Sequence, residues 1–321
     1  MNAKTKYRDL AFEKNLSIFC QPWWLDAVCG ERNWDVVILE EPDGIVAALP
    51  YYVTKKYGLA CFLQPPLTQS LGPWIASSQS KYAKQLSRQK KLMGLLIENL
   101  PPYDYFCQNF HYSITNWLPF YWKEFSQQSR YTYVLDDLSA LDRIWDGFQA
   151  KARTDIRKAQ KTLKVRSDFT IDIFLDLHKL TFTRQNLNLP YSQNLVRRID
   201  AACEKNNARK IFYAVDNCGQ IYAAVYIIWD KSSAYYLMSG SHPDFRRSGA
   251  TSLLLWEAIK FSSTVTEVFD FEGSMLEPIE RFVRGFGAKQ VAYSRISRMN
   301  KRTKLLYSIR EFVKASKDII Q

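Results

Sequence analysis

Apolar and polar positions along the chain keep two periods, and together these predict strands alternating with helices. Pro22 to Cys29, carrying Trp23 and Trp24, reads as a short helix. The runs Trp34 to Leu39 and Ile45 to Thr54 face each other across Glu41–Pro42–Asp43–Gly44, whose Asp-Gly pair is a hairpin-turn signal. Cys61 to Leu63 and Trp74 flank a Pro- and Gly-containing bend. From Lys81 to Leu100 the apolar residues Tyr82, Leu86, Met93, Leu96 and Leu100 recur at helical spacing, with Lys81, Lys84, Arg88 and Lys91 on another face. Tyr103 to Phe110 and Tyr131 to Leu135 read as strands. In the second half, Phe169 to Gln185 and Gln193 to Asn206 are predicted helices. A hairpin follows, Lys210 to Val215 and Ile221 to Trp229, turned by Asp216–Asn217–Cys218–Gly219. The fold class is therefore α/β (α+β). Helix, hairpin, strand, helix, strand occurs twice without sequence identity between the passes, so a duplication rests on element order alone. The polar stretch Asp136 to Lys164 is the expected boundary, giving domains 1–140 and 141–321.

The second pass carries the candidate chemistry. An aromatic strand, Ala234 to Met238, leads through Ser239–Gly240–Ser241 into the basic turn Arg246–Arg247–Ser248–Gly249 and then an almost wholly apolar helix, Thr251 to Phe261. A further strand begins at Val268. A turn of this kind before a buried helix can hold an anion on free backbone N–H groups, so Ser239, Arg246, Arg247, Ser248, Gly249, Ala250 and Thr251 are the expected donor-binding residues. One glycine is fewer than a strong phosphate-binding signature contains, and an ordinary solvated β-to-α connection is the plain alternative. In Phe269–Asp270–Phe271–Glu272–Gly273–Ser274 acidic and aromatic residues alternate, which on a strand puts Asp270 and Glu272 on one face. A carboxylate pair at the C-terminal end of a strand, beside an anion turn, is where a ligand crevice is expected.

The run from Tyr235 to Tyr293 resembles the acyl-CoA-binding core of the GNAT superfamily of acyltransferases. More narrowly, FDFEGS, the later Phe282–Val283–Arg284–Gly285–Phe286–Gly287–Ala288, the opening Phe19–Cys20–Gln21–Pro22–Trp23–Trp24–Leu25, and Tyr133 to Asp136 followed by the basic Ile156–Arg157–Lys158–Ala159 resemble the branch related to Fem-type transferases. That resemblance implies two tandem GNAT-like domains, each a mixed sheet flanked by helices, with the donor site in the second. It implies an N-acyltransferase whose donor substrate is acyl-CoA (acetyl-CoA) or aminoacyl-tRNA. The acceptor would be an amine on a small molecule, an amino sugar or a cell-envelope precursor. The sequence departs from the usual GNAT turn at Thr251, where glycine or alanine is customary.

Acyl transfer to an amine needs a proton acceptor, and Glu272 or Asp270 is the candidate base; such a base is worth about 10²–10⁴-fold. The structural alternative is that these carboxylates pair with Arg281, Arg284 or Arg295. In Lys151 to Lys161, Ala152, Ile156, Ala159 and Leu163 make an apolar stripe beside Arg153, Arg157 and Lys161. Arg157 and Lys158 are candidate substrate-phosphate ligands there, against a solvated helix face.

Composition narrows the classes. Hydrophobic residues at 47% and aromatics at 15% are ample for real cores, and a net charge of +12 favours an anionic partner, including tRNA, without choosing among them. The six cysteines have no C-x-x-C spacing, and His111 and His178 have no ligand-spaced partner, so no disulfide framework and no metal site are expected. Absence of a signal-like N-terminus or a 20-residue apolar run points to a cytoplasmic protein without a transmembrane segment. Arg295 to Lys317 reads as a basic amphipathic helix that packs on the core, with peripheral contact to anionic lipid as the alternative. The competing functions are a non-catalytic nucleic-acid-binding protein and a degenerate transferase scaffold.

Overall fold

The computed structural model describes residues 2–273, 275–300 and 303–304. The chain forms two compact units, Met1–Arg130 with the described residues from Tyr293 onward, and Tyr131–Ala292. The basic helix expected over Arg295 to Lys317 does not begin there: Arg295–Met299 are the end of a β-strand, and Leu305 to Val313 lie outside the described residues.

In the first unit α1 (Ala3–Lys14) and α2 (Pro22–Cys29) precede β1 (Trp34–Glu41), β2 (Gly44–Lys56), β3 (Leu59–Leu63) and the two-residue β4 (Trp74–Ile75). Helix α3 (Tyr82–Glu98) then crosses over to β5 (Tyr105–Asn109), and α4 (Leu118–Trp122) leads into β6 (Ser126–Leu135). β1 and β2 pair antiparallel, as do β2 and β3, whereas β3 and β5 are parallel, which is why a helix must connect them. The helix expected over Lys81 to Leu100 exists because Leu92, Met93, Leu96 and Ile97 fall on one face and pack on Phe62, Phe106 and Phe110.

The second unit contains α5 (Leu141–Gly147), α6 (Ala150–Gln160), β7 (Lys164–Arg166), α7 (Ile171–Thr183), α8 (Gln193–Lys205), β8 (Arg209–Val215) and β9 (Ile221–Trp229). There follow β10 (Ser233–Ser241), α9 (Ala250–Ser262), β11 (Val268–Asp270), α10 (Glu277–Arg284) and β12 (Lys289–Met299). Its sheet order is β6-β11-β10-β9-β8-β7, with β10 and β11 the parallel pair spanned by α9. The order of the first unit thus recurs: two helices, a three-strand meander, a crossover helix and a parallel strand.

The closing strands are exchanged. β6, made with the first unit, pairs through Val134 and Leu135 with β11, while β12 pairs through Arg295–Met299 with β5. The chain therefore crosses at Arg130/Tyr131 and returns at Ala292/Tyr293, where a single boundary near residue 140 was expected. Helix α9 is the hub of the second core: Leu253, Leu254, Leu255, Ala258 and Ile259 are buried against strand residues such as Val225, Ile227 and Phe269 and against Ile156 and Ala159 of α6. No helix among the described residues is long and apolar enough to cross a membrane.

Candidate active site

Strands β10 and β11 are paired at only three positions, Ser233–Val268, Ala234–Phe269 and Tyr235–Asp270. β11 then stops, while β10 runs on to Ser241 and slips register against β9 between Tyr236 and Met238. Such a bulge turns the strand and re-aims its backbone groups. Past Tyr235 the two strands part, and the candidate residues gather at this opening.

On the β10 side the chain enters the basic turn. Gly249 is the N-cap of α9 with φ 82° and ψ 6°, a conformation that side-chain-bearing residues rarely adopt. A Cβ at Gly249 would also collide with the Asp155 carbonyl of α6. Ser248 Oγ accepts from Ala250 N at 3.2 Å, leaving the next N–H groups of the first turn, on Thr251 and Ser252, without intrahelical acceptors. Lys158 Nζ reaches across from α6 and donates to the Arg247 carbonyl at 3.0 Å. Arg184, just past α7, is held below the usual arginine range by burial and then by the charge of Arg246, and its Nη1 is buried without an acceptor. Two guanidinium groups near one another, with a buried donor left over, suit a bound anion.

On the β11 side, the expected strand alternation fails after Asp270. Glu272 N donates to Asp270 Oδ1 at 2.7 Å, a local side-chain-to-backbone bond that competes with the sheet ladder and bends the chain. Glu272 takes φ 55°, and Phe269 and Phe271 are both buried, their rings 4.9 Å apart. Asp270 and Glu272 therefore do not share a strand face. Asp270 is fully buried and accepts from Thr132 Oγ1. Glu272 is only half-buried as a residue, but its Oε1 is out of contact with solvent and has no hydrogen-bond partner among the described residues. Burial, then the neighbouring Asp270 carboxylate, push the Glu272 carboxyl well above its usual range. The arginines that offered a structural alternative are engaged elsewhere: Arg281 with Glu277 at 2.7 Å, Arg284 with Glu280 at 2.8 Å, and Arg295 Nε with Cys107 Sγ at 3.1 Å.

Three residues at this opening carry no warning in the sequence. His178 of α7 donates from Nδ1 to the Ser239 carbonyl at 2.6 Å, which leaves Nε2 to accept from the Tyr191 hydroxyl at 2.9 Å. Burial lowers the His178 pKa, so the ring is neutral, stacked between Phe174 and Tyr191. The Tyr191 hydroxyl is pushed up by burial and then by the charge of Glu272. Ser239 Oγ accepts from Tyr236 OH at 2.6 Å. His178 and Ser239 lie 61 residues apart in the chain, so no local spacing connects them; Arg184 is likewise joined to Arg246 only by the fold.

Arg157 holds its guanidinium 5.5 Å from the Trp145 ring centre. His242 follows β10, its Nδ1 3.8 Å from an Asp244 carboxylate oxygen. A cavity of about 310 Å³ beside α7, lined by Asp176, Leu177, Leu180, Gln220 and His242, includes neither Glu272 nor the basic turn. Among the described residues no cluster of His, Cys, Asp or Glu could hold a metal ion, and all six cysteines are free.

Residues 148–273 match the family model described as an acetyltransferase (GNAT) domain. This segment runs from the end of α5 to the Glu272–Gly273 turn and so contains both sides of the opening. No curated protein matches the chain. Among solved structures, FemX superposes with a TM-score of 0.67 at 12% identity, covering 90% of this chain and 93% of that one. The C-terminal domain (DUF2156) of a putative lysylphosphatidylglycerol synthetase from Agrobacterium fabrum gives 0.55 at 11% identity over 95% of each chain. L-PGS from Bacillus licheniformis gives 0.54 at 11% identity over 95% of this chain and 94% of that one. At such identities the likeness is one of fold: the chain has the fold seen in FemX, and its residues 148–273 carry the match to an acetyltransferase (GNAT) domain.

Proposed function

We propose that the unit Tyr131–Ala292 transfers an acyl group from acyl-CoA to an amine, with the donor threaded into the opening between β10 and β11. The observation that carries this reading is the pairing of a basic, glycine-capped helix start on one side with the Glu272 carboxyl, whose Oε1 is buried and unpartnered among the described residues, on the other. The donor's phosphates would sit on the N–H groups of Thr251 and Ser252 between Arg246, Arg184 and Lys158. The acyl carbonyl would lie along β10 past Tyr236, where unladdered backbone N–H groups stabilise the developing oxyanion. Glu272 then takes the proton from the attacking amine; the raised pKa that burial gives it makes it a stronger acceptor near neutral pH. The amine forms the new bond to the carbonyl carbon, and the thiol of CoA leaves with a proton from the site. Asp270, tied to Thr132 and to the Glu272 amide, holds Glu272 in place.

Aminoacyl-tRNA is the second donor reading. Thr251 favours it, since its side chain stands where acyl-CoA-binding turns customarily keep glycine or alanine, and the likeness to FemX is in keeping with it. A cell-envelope precursor is the acceptor class that goes with that donor. Thermal-shift titration tests the choice, because a ligand at about 100 times its Kd stabilises the fold by about 2.7 kcal/mol. A shift with acetyl-CoA or a longer acyl-CoA that persists at high salt, and that Arg246→Ala removes, supports the first reading. A shift with charged but not uncharged tRNA supports the second. Equal shifts with any RNA, vanishing with salt, would leave a nucleic-acid-binding protein instead.

A further inference from the structure

The first unit carries a surface that neither the donor site nor the fold accounts for. Helix α4 is one turn long and is fixed from beneath by Phe120, fully buried, whose ring packs 4.9 Å from Phe110 and 5.2 Å from Phe125. With that anchor inward, Leu118, Tyr121 and Trp122 point out and are 41%, 58% and 59% exposed. An isolated exposed apolar residue needs no explanation, but a leucine, a tyrosine and a tryptophan on one rigid turn do. Beside them lies α3, where residues 81–91 hold five cations, Lys81, Lys84, Arg88, Lys90 and Lys91, and no acid. Arg88 is engaged with Glu41 at 3.1 Å. Lys81, Lys84 and Lys91 are exposed and form no ion pair among the described residues. Lys90 Nζ stands 5.4 Å over the Trp122 ring, and Tyr82, at the start of the same helix, is 77% exposed.

We propose that this face docks on an anionic lipid bilayer. Tryptophan and tyrosine favour the headgroup level of a membrane, where the ring body is apolar and its polar edge stays wet. Leu118 goes slightly deeper, and the lysines, with long apolar stems, reach lipid phosphates. Charge complementarity decides the lipid class: Lys90, over Trp122, and Lys81, Lys84 and Lys91 of the same helix gain nothing from a neutral surface and attract an anionic one. Geometry disfavours RNA, the other polyanion that suits aromatics and lysines. A base needs an open ring face, and Lys90 Nζ already stands over one face of Trp122.

The test is cosedimentation of the full chain with vesicles of phosphatidylcholine alone and of phosphatidylcholine mixed with phosphatidylglycerol, at low and high salt. The expected result is binding to the mixed vesicles only, weakened by salt. Tyr121→Ala/Trp122→Ala should cut the partition coefficient about tenfold or more. Lys90→Glu/Lys91→Glu should cut it by roughly fivefold or more per residue, from the attraction of one basic side chain to such a surface. All four side chains lie on the surface, so unchanged melting of both variants certifies their folding. Lys314→Glu/Lys317→Glu, in the basic C-terminal segment, should bind as the unaltered chain does. Four results would overturn the proposal: no binding to anionic vesicles; binding indifferent to Tyr121 and Trp122; binding lost in the C-terminal variant alone; or patch-dependent binding of tRNA that vesicles do not displace. None of these readouts uses acyl transfer, so the proposal stands or falls apart from the enzyme's donor.

Discussion

Gly249 and Gly219 offer a matched pair for testing how the anion turn is built. Their φ angles are almost the same, 82° and 84°, but a Cβ at Gly219 meets nothing within 4 Å, whereas at Gly249 it collides with the Asp155 carbonyl of α6. Alanine at either site incurs the left-handed backbone term, about 1–2 kcal/mol. Only at Gly249 must α6 also shift or the turn open, an overpacking cost of about 1–3 kcal/mol. The expected totals are therefore about 1–2 kcal/mol for Gly219→Ala and about 2–5 kcal/mol for Gly249→Ala. In a domain of this size each kcal/mol moves the melting temperature by about 2–4 °C, so the two variants should differ by several degrees. Calorimetry reads the first quantity, and the acyl-CoA-induced shift reads the second. Gly249→Ala should lose most of that shift because displacement of α6 carries Lys158 away from the Arg247 carbonyl; Gly219→Ala should keep it. Equal melting temperatures for the two variants, with the donor shift intact in both, would refute the idea that close contact between α6 and the turn shapes the donor site.

Glu272→Gln should lower acyl transfer by about 10²–10⁴-fold. The rate of the unaltered enzyme should rise with pH along a limb displaced above the ordinary carboxylate range, since burial and Asp270 favour the protonated form; the glutamine variant should lack that limb. The stability contribution runs the other way. A carboxyl whose pKa is raised by folding favours the fold below its unfolded pKa, about 4.3, and that contribution fades as pH rises through the folded value. Denaturant titrations across pH should accordingly show a flatter profile for Glu272→Gln. Tyr191→Phe leaves His178 Nε2 without its donor and should cost about 1 kcal/mol; histidine NMR would show the His178 resonances move while the Nδ1–H tautomer persists. Lys158→Ala should weaken donor binding more at low than at high salt, whereas Arg157→Ala should leave it unchanged, a contrast that isothermal titration can measure.

Much of the architecture is written in local pattern. The Asp-Gly hairpin, the helix beginning at Tyr82 and the strand–turn–helix passage into α9 follow from short-range periodicity and turn chemistry, and the structure contains each of them. The basic turn before α9 is legible as a turn for the same reason: its residues are contiguous. The carboxyl side was half legible. Asp270 and Glu272 were visible as a pair, but strand alternation could not anticipate that the Asp270 side chain would capture the Glu272 amide and break the strand. His178 and Tyr191 were not legible, because what brings them to Ser239 is the packing of α7 on β10. Arg157 and Lys158 illustrate the resolution of helical reasoning: adjacent on α6, they are some 100° apart around it, and only Lys158 reaches the turn.

The exchanged closing strands bear on how the protein is made. Cys107 of β5 and Arg295 of β12 are in contact across 188 residues of chain, and Thr132 of β6 holds Asp270 across 138. During synthesis the first unit must wait, one sheet edge open, until Arg295–Met299 of β12 have left the ribosome. The second unit borrows its outer strand from a segment already emerged. Loop closure on that scale is slow and exposes unpaired edges meanwhile. Separate expression of the two halves, cut near residue 140, would strand β6 with the wrong partner and deprive β5 of its own. The arrangement means that no single cut of the chain separates the two units: each needs a strand that lies, in sequence, beyond the other's boundary.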